Sequence, residues 1–225
     1  MNTTVKEKEY ISAKLGVPYE NLSQSYIRAE TALATNSSIS FNIQKSKTAS
    51  PTATERLLEL NDKFVITHLF IGLKQIASDT PTAAQHDLAS VYTYENPNVF
   101  SGTNAANVNA IYNGSLSMTV NRKVYIPEFP VRAFRRVPDT QSGSFLTAVG
   151  TATTPTATFA ANGGLDGFPV GLYGFYQMDP TLFDGAQTID TEINLGSAVA
   201  FDDSSNTVYA VLCARGYLVV NAVNR

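Results

Sequence analysis

The sequence holds two histidines, His68 and His86, and a single cysteine, Cys213. A catalytic histidine needs a nucleophile or a carboxylate held against it. In "TAAQHDLAS" Asp87 follows His86 directly, and neighbours on an extended chain point to opposite faces, so this spacing brings no pair together. His68 sits inside an apolar run, where a lone histidine is read as a packed polar residue. One cysteine and two histidines cannot close a structural zinc site, and one cysteine cannot form an internal disulfide. There is no GxSxG elbow, Walker A loop or HExxH pair. The glycines of "NGGLDGFPVGLYGF" lack the GxGxxG spacing of a dinucleotide site. Asp202, Asp203, Ser204 and Asn206 offer oxygens suited to a hard cation, yet the stretch reads more simply as a solvated turn, and Asp184, Asp190 and Glu192 read the same way. The sequence therefore assigns no catalytic, cofactor-binding or metal-ligating residue, and the expectation is a non-enzyme without cofactor.

Arg132, Arg135 and Arg136 in "PVRAFRRVP" form the one basic cluster. Guanidinium groups suit bidentate phosphate contacts, which makes these three the candidate nucleic-acid-facing residues. Ion pairing to a neighbouring acidic loop is the structural alternative. The whole chain supplies no basic field, because 16 Lys and Arg stand against 19 Asp and Glu, for a net charge of −3. Packaged nucleic acid is thus only weakly supported as a partner. Charged residues are 16% of the chain, against about a quarter in an average domain. Much of the surface must be Ser, Thr, Asn, Ala and Gly, which is easier to bury against a neighbour than a charged surface.

The elements that would position these groups change character along the chain. Residues 1–38 read as a helical N-terminal arm, with helix-compatible stretches from Val5 to Leu15 and from Tyr19 to Ala34, separated at Pro18. In the second, Leu22, Tyr26, Ala29 and Leu33 line one helical face. From Ile39 the period becomes two. "ISFNIQ", "SLSMTV" and "TIDTEINL" alternate apolar and polar residues as half-buried strands do. "KFVITHLFIGLKQI" is long enough for a helix, but its β-branched and aromatic content favours strand. Asn113-Gly114 reads as a two-residue hairpin turn, and Pro127 and Pro130 place the following strand at an edge or a bend. The Thr-, Ala- and Gly-rich stretch from Pro138 to Phe168 exceeds a typical loop, so an excursion or a short strand of its own is expected there. About eight short strands after a helical segment predict a mainly β protein: an antiparallel β-sandwich over 39–225, of jelly-roll type.

The closing strand, "TVYAVLCARGYLVV", is apolar on both alternating faces. Val208, Ala210, Leu212 and Ala214 form one row; Tyr209, Val211 and Cys213 form the other, with Arg215 its one charge. In a two-layer sandwich one of these rows faces outward. Either the arm or a second subunit must cover it. Leu22, Tyr26, Leu33, Tyr209, Val211 and Arg215 are therefore the candidate subunit-interface residues.

No apolar run reaches the ~20 residues of a membrane helix, and "MNTTVKEKEYISAKLGVPYE" lacks the apolar core of a signal peptide. A protein made in the cytoplasm and without a membrane span is the expectation. The plan of arm, Trp-free body of short strands and apolar last strand, together with "LNDKFVITHLFIGL", "VYTYENPNVF" and "AIYNGSLSMTV", resembles β-sandwich coat proteins of icosahedral viruses and phages. The resemblance implies a jelly-roll capsid subunit, partnered by copies of itself and by other virion proteins, made in the host cytoplasm and residing in the virion. An arm tying neighbours together is implied with it; the acidic pI departs from coats with strongly basic arms. The alternative is a β-sandwich adhesion or carbohydrate-binding module, with Tyr173 and Tyr176 in "GFPVGLYGFYQMDP" as the sugar platform.

Overall fold

The computed structural model describes residues 3–47, 52–96, 99–100, 105–137, 145–149, 156–160, 174–201 and 205–219. The alternating and β-branched runs become strands: β1 (Ser23–Ala32), β2 (Thr35–Phe41), β3 (Lys63–Ile76), β4 (Ser115–Val120), β5 (Lys123–Pro130), β8 (Tyr176–Asp184), β9 (Ile189–Ala200) and β10 (Thr207–Val219). Between β5 and β8 lies a separate hairpin of β6 (Phe145–Val149) and β7 (Thr156–Ala160), so the Thr- and Ala-rich excursion does contain strands of its own. Pairing is antiparallel and nested: β1 with β10, β2 with β9, β3 with β8, and β4 with β5. Two further ladders, β10 with β3 and β9 with β4, join these pairs into two four-stranded sheets. Sheet I runs β1-β10-β3-β8 and sheet II runs β2-β9-β4-β5. Ile27, Phe64, Ile71 and Leu212 of sheet I pack with Ile39, Phe41, Leu116 and Ile193 of sheet II in one shared core. The chain is mainly β and sandwich-like.

The outer faces of the two sheets differ. On sheet II the alternation seen in the sequence is the alternation of burial: Leu116, Met118 and Val120 are buried while Ser115, Ser117 and Thr119 are half-exposed. Sheet I is covered on its outer side by the chain itself. Helix α1 (Thr3–Leu15) sets Ile11, with Val17 and Leu22 just after it, against Val65, Tyr217 and Val219. Further along the same face, Val91 joins Phe70, Ile76, Tyr209 and Val211 in a second cluster. Both rows of β10 are thereby largely buried within one chain. Each fully buried Val, Leu, Ile or Phe contributes about 1.5–3 kcal/mol relative to exposure, so these covers are substantial.

Two expectations are corrected. The first helical stretch forms α1, but Tyr19–Ala34 is a single 3₁₀ turn at Tyr19–Asn21 followed by β1. Ile27 and Ala29 point into the core while Arg28 and Glu30 lie on the outer side, a period of two that pairing with β10 enforces over any helical spacing. The residues after α1 thus belong to the sandwich and not to a helical arm. The second correction concerns Asn113-Gly114, which ends the short helix α3 (Ala110–Asn113) and turns no hairpin. Gly114 serves close approach instead, since a Cβ there would meet the Asn194 carbonyl oxygen at 2.7 Å. The β4–β5 turn is made by Asn121 and Arg122, both at positive φ (47° and 67°). Pro127 and Pro130 lie where their missing N–H groups predict, on the edge strand β5.

Candidate functional site: predicted surfaces and a buried charge cluster

Four of the six candidate interface residues are spent inside the chain. Leu22, Leu33, Tyr209 and Val211 are buried, so they offer nothing to a second subunit. The reason is the cover of sheet I: Leu22 packs under α1, and Tyr209 and Val211 lie beneath Val91. Tyr26 is 45% exposed on edge strand β1, with the Arg56 guanidinium 5.0 Å from its ring centre. Arg215 is half-buried and stacks on Phe175 at 4.6 Å.

The three arginines take different hydrogen-bond partners. Arg135 grips Glu95 with Nε at 3.0 Å and Nη2 at 2.5 Å. Burial would raise the Glu95 carboxyl, but the Arg135 hydrogen bonds outweigh it and hold it below the ordinary value. Arg132 donates to the Asn113 side-chain oxygen at 3.2 Å, and Arg136 donates to the Arg135 carbonyl at 3.2 Å. Ion pairing to an acidic neighbour is therefore what Arg135 does, while Arg132 and Arg136 stay exposed.

The densest polar constellation lies on the outer face of sheet I, and the sequence reading missed it. His86 is not on an extended segment: Thr82 and Gln85 form a reciprocal capping box that starts helix α2 (Ala83–Leu88), and the helix turns His86 inward. There its Nδ1 lies 3.0 Å from the Lys74 ammonium. The same imidazole nitrogen lies 3.5 Å from a Glu30 carboxylate oxygen. Lys74 also binds Glu30, and both side chains are wholly buried. Glu30 receives the Thr54 hydroxyl at 2.6 Å and the Arg28 guanidinium at 2.6 Å. The Glu30 backbone N–H donates to Glu55 at 2.8 Å, which ties the 52–55 segment to β1. Burial pushes the Glu30 carboxyl up, but the Lys74 and Thr54 hydrogen bonds and Arg28 overcome it and leave it below the ordinary value. Burial dominates at Lys74 and lowers its ammonium despite Glu30. Tyr209 closes the site, its ring 5.1 Å from His86 and 5.0 Å from the Lys74 nitrogen. Lys74 is closed off from solvent, and the cluster clamps β1, β3 and α2 together. A T-x-x-Q pattern at Thr82–Gln85 was the signal that would have placed His86 on a helix.

The remaining sequence candidates scatter. Asp184 pairs with Lys63 at 3.6 Å and Asp190 with Lys47 at 3.2 Å. Asp202, Asp203, Ser204 and Tyr173 lie outside the described residues. Among the described residues no group of three or more His, Cys, Asp or Glu could hold a metal ion, and no helix is long and apolar enough to cross a membrane. No known protein family, curated protein or solved structure matches the chain.

Proposed function

We propose that this chain is a virion structural protein, a capsid subunit that assembles with copies of itself. The observation that carries the reading is the nested strand pairing. A chain whose first strands pair in mirror order with its last is one long hairpin. Rolled into two four-stranded sheets, such a hairpin has the double Greek-key plan of a jelly roll, a fold used by viral capsid and lectin domains. A fold alone does not assign a function. The low charge of the surface and the placement of its exposed aromatics add to the case. Tyr26 lies exposed on edge strand β1, with Tyr19 just before that strand and Tyr10 on α1, and Val124, Tyr125 and Tyr176 lie exposed on β5 and β8 at the other side. Aromatic residues are favoured at interfaces. Unlike patches on opposite edges suit head-to-tail contacts that close into rings or shells, and repetition multiplies weak contacts. The contacts in this reading lie at the edges and not along β10, whose rows are largely taken up within the chain. The arm-like role passes to α1, whose outer side carries Tyr10; virion partners and a host-cytoplasmic origin belong to the same proposal.

Light scattering after size-exclusion chromatography, with negative-stain microscopy of the same fractions, tests this. Regular particles or closed oligomers are expected, and Tyr26→Asp or Tyr125→Asp should shift them to monomer. Monomer alone at every concentration and salt would overturn the reading. The second reading, a carbohydrate-binding module, draws on Tyr176, which is 40% exposed and rests edge-on against Phe129 at 5.0 Å.

A further inference from the structure

The outer face of sheet I is closed at both ends, by α1 and by the 83–94 segment, and between them lies a groove of about 490 Å³. It opens at an irregularity in the two central strands. Along β3 the inward positions run Phe64, Ile66, then Leu69, so Thr67 and His68 both fall to the outer side. The register against β10 slips at the same level, where Arg215 pairs with His68 but Gly216 with Ile66. The ladder to β8 slips there as well. Gly216 is required, because a Cβ would run into the Val65 carbonyl. A bulge re-aims side chains at a cost in pairing, and bulges gather beside binding sites. Here the slip sets Thr67, His68 and Arg215 side by side, facing Gln24, Tyr26, Glu7 and Tyr217.

We propose that this groove binds a neutral saccharide. Its size falls within the ~300–1,000 Å³ of small-ligand sites. One carboxylate, Glu7, and one guanidinium, Arg215, leave it without net charge, which suits neither an anion nor a cation. The other groups are the neutral donors and acceptors that hydroxyls need. The Thr67 hydroxyl lies 3.3 Å from the Arg215 carbonyl, to which it can donate, and 2.9 Å from His68 Nδ1. With Nδ1 engaged by Thr67, Nε2 is the His68 nitrogen left for a ligand hydroxyl, which can both donate and accept. Burial lowers the His68 pKa, which keeps the ring neutral at pH 7. The Tyr217 hydroxyl donates to Glu7 at 2.8 Å and holds the carboxylate in place. Tyr26 supplies an exposed aromatic rim. The groove shares Tyr26 with the edge contacts proposed above, while Gln24, Thr67, His68 and Arg215 belong to the groove alone, so their variants test it separately from assembly.

The test is an array of neutral hexose- and N-acetylhexosamine-terminated glycans, with sialylated and sulfated chains alongside, probed with the full chain. Retention of neutral glycans is expected, and Gln24→Ala and His68→Ala should each weaken the best hit about tenfold, the loss of one good hydrogen bond. Gln24 is exposed, so its variant tests the site even if the His68 variant unfolds. Retention of acidic glycans only, no retention, or a hit that survives Gln24→Ala but is lost on Tyr176→Ala would each overturn the proposal.

Discussion

Sheets I and II each hold four antiparallel strands, yet sheet II is open on its outer face and sheet I is roofed. Sheet II obeys the rule for a half-solvated antiparallel sheet: apolar in, polar out. In sheet I the central strands β3 and β10 are apolar on both sides, because α1, α2 and Val91 lie over them. An apolar outer row therefore marks what the same chain lays on top, and not necessarily a partner. The roof is itself uneven: apolar over Tyr217 and Val211, ionic over Lys74, and parted at Arg215.

The sharpest break in this contrast is at the ionic part of the roof. Glu30→Ala strands the buried Lys74 and Arg28, and we expect a loss of about 3–5 kcal/mol in urea unfolding. Lys74→Met together with Glu30→Leu removes both charges and should regain much of that loss. At the apolar part, Ile11→Ala leaves a cavity under α1 and should cost about 2–5 kcal/mol by the same measurement. Equivalent outer-face substitutions sharpen the comparison: Val211→Ala on sheet I should cost about 1–2 kcal/mol, and Ser117→Ala on sheet II less than about 0.5 kcal/mol. A still gentler probe is acid. Glu30 and Glu95 both have folded values below the ordinary 4.5. The unfolded chain then binds more protons in the window beneath pH 4.5, so their stabilisation is present above it and is lost as pH falls through the folded values. Acid titration of the unfolding midpoint should show that limb, shallower in Glu95→Gln.

The strands were legible because their signal is local. β2, β4 and β9 alternate, and β3 and β10 carry long β-branched runs, so single-strand patterns sufficed. β1 was not legible as a strand: Leu22, Tyr26, Ala29 and Leu33 happen to fit a helical spacing, and only pairing with β10, almost two hundred residues away in sequence, decides the matter. The β4–β5 turn was hidden because Arg122 is an unusual residue at positive φ. The site was less legible than the fold. Glu30, Lys74 and His86 are joined by topology alone, and no spacing announces them. The same holds for the groove, which depends on a register slip that leaves only Gly216 as its trace.

Cys213 offers the most direct test of the roof, being the chain's one cysteine and a member of the outer row of β10. Burial pushes its thiol up to about 11, and the chain's own segments shield it. Labelling by a neutral-pH thiol reagent should be slow, and equally slow for dilute and concentrated native protein. Fast labelling in dilute solution, with protection appearing only as copies associate, would show that a neighbouring subunit and not this chain covers the strand.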